Sequence, residues 1–328
     1  MSNSVTSNKR HHYRELLSIG IPIIIGQLGT IILGFADTLM IGHHSTEELA
    51  AAGLVNNIFG LVFISYMGFS YGLTPIIGKL YGMERTEEIG QKVRNSFIAN
   101  MMVGCIFSLA LVILYLNLAH IGQPEELLSL IRPYFIVNLV SVLFMGVFNT
   151  MKQFLDGITY TKVAMWVMIG GNVVNILGNW MLIYGVGPFP ELGLLGAGIS
   201  TLLSRILMAL AMVVMVVGYK KFRQYRHDIL TSSVNKTDFK EMNRMGWPVA
   251  LQLAMESAAF TLSCVMVGWL GTIPLAAHQV MITTSQLFYL VLSGMAAAMA
   301  IRVSHFVGQK DFKAVRQNAY DGWRLNLM

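Results

Sequence analysis

Apolar residues gather along this chain in eight long runs, separated by short stretches that hold nearly all of its charge. The runs fall near residues 16–41, 49–78, 93–118, 127–151, 162–184, 192–219, 245–270 and 275–305. Each exceeds the ~20 residues that an α-helix needs to cross the hydrocarbon core of a bilayer. A ninth begins around Ala314. The pattern predicts an all-α, polytopic membrane protein.

The pattern also repeats. Gly20-Ile21-Pro22 returns as Gly246-Trp247-Pro248, an offset of 226. That offset carries Ile41-Gly42 onto Val267-Gly268, Leu49-Ala50-Ala51 onto Leu275-Ala276-Ala277, Gly68 onto Gly294 and Gly82 onto Gly308. Six spans precede the second copy, and an even number returns the chain to its starting side. The copies are therefore expected to be parallel bundles of six helices each when complete, related by an axis along the membrane normal. The expected division is a first lobe over 1–219, a basic cytoplasmic linker over 220–244, and the first part of a second lobe over 245–328 (helices seven, eight and the start of nine). Two full copies need roughly 450 residues, so a chain of 328 predicts an incomplete second bundle.

Composition narrows the class further. Hydrophobic residues make up 55% of the chain and charged ones 12%, about half the usual globular share. A net charge of +6 is compatible with nucleic-acid binding, but the distribution of the charge argues against it. Of 23 Lys and Arg residues, 21 fall on one predicted side; Arg132 lies outside and Arg205 within a span. Positive charge in short loops stays cytoplasmic, so the N-terminus is expected inside, with anionic lipid contact as a lesser role for the basic residues. The first apolar segment, ~25 residues long behind Lys9, Arg10 and Arg14, is too long for a cleaved signal and is expected to remain as an anchor. Cys105 and Cys264 both fall inside spans and suggest neither a disulfide framework nor a metal site.

Polar groups in mid-membrane are costly and ask for a reason. Asp37 sits about four residues from the outer end of span one. Asn175 and Asn179 share a face of span five, with Asn172 three residues before them, and Thr201 lies at comparable depth in span six. A carboxylate with amide and hydroxyl oxygens suits Na⁺ or a titrating proton. Helix–helix glue, at about 0.6 kcal/mol per bond, is the alternative reading of the amides. Glu256, near the middle of span seven, could exchange protons, stay permanently protonated or pair with Arg205. Gln252, Arg205, Asn172, His278 and Gln279 are cavity or structural positions. His43 and His44 are expected simply to be exposed in the outer loop. Pro22 and Pro248 occupy matching places where a helix could begin or bend. Phosphate loops, zinc-protease and nucleophile-elbow motifs are missing, so no enzyme and no cofactor is expected, and pumping would draw on an ion gradient.

These residues together resemble the multidrug and toxic compound extrusion (MATE) family. The resemblance rests on Gly20-Ile21-Pro22, Ala36-Asp37-Thr38 with Ile41-Gly42, and Asn172 through Asn179. It extends to Gly196-Ala197-Gly198-Ile199-Ser200-Thr201, Gly246-Trp247-Pro248 with Glu256, and Ala276-Ala277-His278-Gln279. Glu256 points to the NorM-like branch. The resemblance implies a monomeric antiporter in the bacterial inner membrane that exports cationic amphipathic compounds in exchange for Na⁺ or H⁺. It implies cation-site roles for Asp37, Asn175, Asn179 and Thr201, and a second carboxylate site at Glu256. A lipid-linked oligosaccharide flippase and a non-transporting receptor are the alternatives; the flippase would need a more cationic cavity than Arg205 alone supplies.

Overall fold

A computed structural model describes the backbone of residues 2–121 and 125–327, and the side chains of that range except 2–11, 121, 125, 265, 272, 275, 276, 283 and 287. The side chains of Lys9, Arg10, Leu275 and Ala276, used in the reading above, lie outside the described residues. The described chain is helical throughout: α1 Ser2–His44, α2 Thr46–Tyr71, α3 Leu73–Gly82, α4 Thr86–Leu116, α5 Glu125–Gly157, α6 Thr161–Ile183, α7 Gly193–Gly218, α8 Arg223–Thr231, α9 Lys236–Gly268, α10 Thr272–Gly308 and α11 Phe312–Leu327. Among the described residues, eight helical stretches are long and apolar enough to cross a membrane. One of them, Thr46–Gly82, contains both α2 and α3, which meet at Gly72.

One boundary differs from expectation. Helix α1 runs to His44, so Asp37 lies seven residues, about 10 Å, from its outer end rather than four. Pro22 and Pro248 start no helix; both lie inside α1 and α9, which continue through them. The linker expected at 220–244 is largely helical. A short 3₁₀ turn leads into α8, and Asn235 caps α9 by accepting from the Thr237 N–H at 2.9 Å, so α9 already covers Lys236 onwards. Phe222 and Tyr225 hold this segment down by burying against Phe154 of α5.

Helices α1 to α7 enclose one core in which Phe59, Tyr66, Phe69, Phe135 and Phe154 are buried. Tyr66 shows how tight it is: its hydroxyl donates to the Asn100 carbonyl at 2.8 Å, and a Cβ on Gly146 would come within 1.9 Å of its oxygen. Helices α9 and α10 lie against α1, α2 and α3 through small residues, which let backbones approach closely. A Cβ on Gly68 would stand 2.7 Å from the Ala250 Cα.

The contacts between the copies obey the repeat. Gly68 abuts Ala250, and Gly294 abuts Ile24. Gly72 abuts Gly246, and Gly20 abuts Ala298; Gly82 abuts His305, and Gly308 abuts Lys79. In each pair of contacts, shifting by 226 turns one into the other. An ionic counterpart lies at the same end of the molecule. Arg302 donates to Glu15 at 2.6 Å and to the His12 carbonyl at 2.9 Å, while Lys92 bridges Asp238 at 2.8 Å and also binds Glu241. His12 and Glu15 are the repeat equivalents of Asp238 and Glu241, again 226 apart. These contacts all fall in the half of the helices nearest the basic loops. Further along, Phe260, Leu262, Met266 and Trp269 of α9 and Val280 and Met281 of α10 are exposed.

Candidate functional site

The buried polar groups of the first bundle converge where α1, α6 and α7 meet. Asn179 and Asn175, one turn apart on α6, are completely buried. The Asn179 Nδ2 donates to Asp37 Oδ1 at 2.5 Å, which joins α6 to α1. Asn175 is best placed with its own Nδ2 also towards Asp37 Oδ1, at 2.9 Å; its oxygen then accepts from the Thr201 hydroxyl at 3.0 Å and the Thr201 backbone N–H at 3.2 Å. Ser200 fixes the start of α7 by donating to the Asn175 carbonyl at 2.7 Å. Four residues singled out in the sequence are thus brought to one place.

Arg205 joins this cluster through residues of α5 that the sequence reading did not single out. Arg205, one helical turn beyond Thr201 on α7, donates to the Ser141 hydroxyl of α5 at 2.5 Å and lies 4.3 Å over the Phe63 ring. Both Arg205 and buried Tyr134 of α5 are within electrostatic reach of Asp37. The Tyr134 hydroxyl donates to Asn56 of α2 at 3.1 Å. Tyr134, Asn138 and Ser141 follow each other at helical spacing, and that face of span four is the signal that could have revealed them. Arg205 is therefore a counter-charge within the first bundle, not the partner of Glu256.

The donor set fits a small hard cation. Asp37 supplies the charge, and the Asn179 Oδ1 is buried without a hydrogen-bond partner beside it. An orphaned buried oxygen on a residue bonded to a carboxylate suits a hard ion. The same carboxylate, receiving amide N–H bonds, could instead carry a proton.

The other predicted positions are dispersed. Asn172 packs against Gly29 of α1, where a Cβ would approach its Nδ2 to 2.7 Å. Glu256 of α9 lies within electrostatic reach of Tyr289 of α10. Gln279 donates to Cys264 at 3.7 Å, Gln252 is exposed, and the His278 Nε2 is buried without a partner. His44 corrects the expectation of an idle loop residue. Its Nδ1 meets Glu48 at 2.8 Å and its Nε2 meets Glu191 at 3.0 Å, tying the α1–α2 turn to the loop before α7. Gly193 is needed there: φ is +54° and a Cβ would collide with Glu48.

Fold and site together define a polytopic helical membrane protein of two parallel, repeat-related bundles with a buried acid–amide cluster in the first. The chain belongs to the MatE family, whose model matches residues 22–181 and 248–328. It is 28% identical over 302 residues to the probable multidrug resistance protein NorM of Photorhabdus laumondii, covering 91% of this chain and 65% of that protein. It is 27% identical to the multidrug resistance protein NorM of Photobacterium profundum, covering 98% of this chain and 70% of that one. This chain therefore spans about two thirds of the length of these relatives. Its fold matches the crystal structure of MATE in complex with MaD5 with a TM-score of 0.87 at 22% identity, over 96% of this chain and 70% of that one. The eukaryotic MATE transporter AtDTX14 gives a TM-score of 0.83 at 17% identity, over 96% and 69%.

Proposed function

We propose that the chain acts in secondary multidrug efflux, exporting cationic amphipathic compounds in exchange for Na⁺ or H⁺ by alternating access, with the basic loops and the N-terminus in the cytoplasm. The observation that carries the reading is the convergence of Asp37, Asn175, Asn179 and Thr201 in a member of this family. Binding of the coupling ion at Asp37 from outside favours the state that releases drug, because a ligand shifts a conformational equilibrium only through its differential affinity for the two states. Glu256 with Tyr289 serves as the carboxylate site of the second lobe, and Pro22 and Pro248 as bending points. The names of the two NorM relatives support the substrate class. Arg205, engaged by Ser141 and facing Asp37, offers no cationic cavity for a lipid pyrophosphate, which speaks against the flippase.

Ethidium efflux from cells expressing the protein, driven in turn by a Na⁺ gradient and by a pH gradient, tests the reading. Accumulation should fall under at least one gradient; dye retention under both would sink it.

A further inference from the structure

A shallow groove of about 330 Å³ runs between α4 and the start of α9, on the outer surface of the helices near the basic loops. Ile98, Met102, Val234 and Phe239 form its apolar wall, and Lys236 and Lys240 stand at its edge. These lysines are four apart on one helix, so their side chains lie side by side. The acids nearest in sequence do not neutralise them: Asp238 and Glu241 both bind Lys92, and Asp238 also receives Asn95 at 3.0 Å and Gln91 at 3.2 Å. Among the described residues, neither Lys236 nor Lys240 takes part in an ion pair, and both are exposed. Trp247, further along α9, is 43% exposed with its indole N–H on Asn243 at 2.9 Å. A half-exposed tryptophan with a satisfied N–H is typical of the headgroup level of a bilayer.

Two free ammonium groups above an apolar wall at that level match a molecule with an anionic head and a hydrocarbon tail. We propose that this groove binds one anionic phospholipid of the cytoplasmic leaflet, its phosphate held by Lys236 and Lys240 and an acyl chain laid along Ile98, Met102 and Phe239. The leaflet rests on the cytoplasmic assignment made under Proposed function. The groove has one wall on each repeat: α4 belongs to the first and α9 to the second. A bound lipid therefore reinforces the Lys92 bridges and favours the arrangement in which these ends stay together.

Native mass spectrometry of the full chain in detergent, titrated with phosphatidylglycerol or phosphatidylcholine, tests the site. One saturable phosphatidylglycerol is expected, with binding weakened by added salt. At the usual contribution of a basic residue near anionic lipid, the double variant Lys236→Gln/Lys240→Gln should bind on the order of 30-fold more weakly. A Lys220→Gln/Lys221→Gln control should bind normally. Equal binding of the two lipids, unchanged affinity in the double variant, or displacement by inorganic phosphate alone would overturn the site. The leaflet is tested separately by labelling Ser233→Cys in intact cells with an impermeant maleimide. Protection supports the cytoplasmic side; labelling from outside would overturn the leaflet while leaving the detergent measurement to judge the groove.

Discussion

Replacing Asp37 by asparagine removes the negative charge that Arg205 faces. The side chain keeps its size, and an amide oxygen can still accept from Asn179, whose donor now stands 2.5 Å from the carboxylate. A hydrogen bond to a charged acceptor contributes about 1.5–3 kcal/mol and a neutral one about 1, so the fold should lose only about 1 kcal/mol here. A second bond weakens by about the same amount, because Asn175 also donates to that oxygen at 2.9 Å, for about 2 kcal/mol in all. The coupling ion loses far more. A unit cation about 4 Å from the carboxylate gains on the order of 4 kcal/mol at an effective dielectric constant near 20, close to a thousandfold in occupancy. The expected result is near-normal membrane abundance, a modest fall in melting temperature, and loss of gradient-driven ethidium efflux. Efflux at the wild-type rate, with its ion dependence intact, would refute the assignment of Asp37 as the ion's principal ligand.

Three further changes test the scaffold. Gly68→Val places a side chain where the Ala250 backbone already lies, so α2 and α9 must separate; a loss of about 3 kcal/mol or failure to accumulate is expected, read by thermal unfolding in detergent. Asp238→Ala strips Lys92 of its buried partner and leaves Asn95 and Gln91 short of an acceptor, at about 3 kcal/mol by the same measurement. His44 meets a carboxylate at each ring nitrogen, and carboxylates only accept, so both bonds need the doubly protonated ring. Its stabilisation is present at low pH and lost as pH rises through the histidine's titration. The melting difference between wild type and His44→Gln should be largest near about pH 5 and vanish by about pH 9, at roughly 0.5 kcal/mol because the bridge is partly exposed.

What the sequence made legible was whatever repeats or stays on one helix. Apolar runs long enough to span a bilayer identify themselves, and the spacing of Asn175 and Asn179 reveals a shared face without knowledge of its neighbour. That Asp37 meets that face depends on how α1 leans on α6, which was inferable only through the family resemblance. Tyr134 escaped notice because a tyrosine in an apolar run reads as lining, and its bond to Asn56 comes from a different helix. His44 was misjudged for a related reason: Glu191 lies 147 residues away, and no local pattern announces it. The helix within the linker did not show in the sequence because charge surrounds its few apolar anchors, Phe222, Tyr225 and Ile229 among them.

The matched contacts between the repeats carry a meaning beyond packing. Where residue i of one copy touches j of the other, j of the first touches i of the second, as with Gly68 and Ala250 against Ile24 and Gly294. That reciprocity is the rule of an isologous interface between identical subunits. A single six-helix unit carrying these glycines would present a self-complementary surface and could pair with its own twin. Fusion of two such units into one chain would then have freed each copy to change alone. Asp37 now aligns with Ser263, and Glu256 with Thr30, at the offset of 226. The seam remembers a dimer, while the carboxylates record its division of labour.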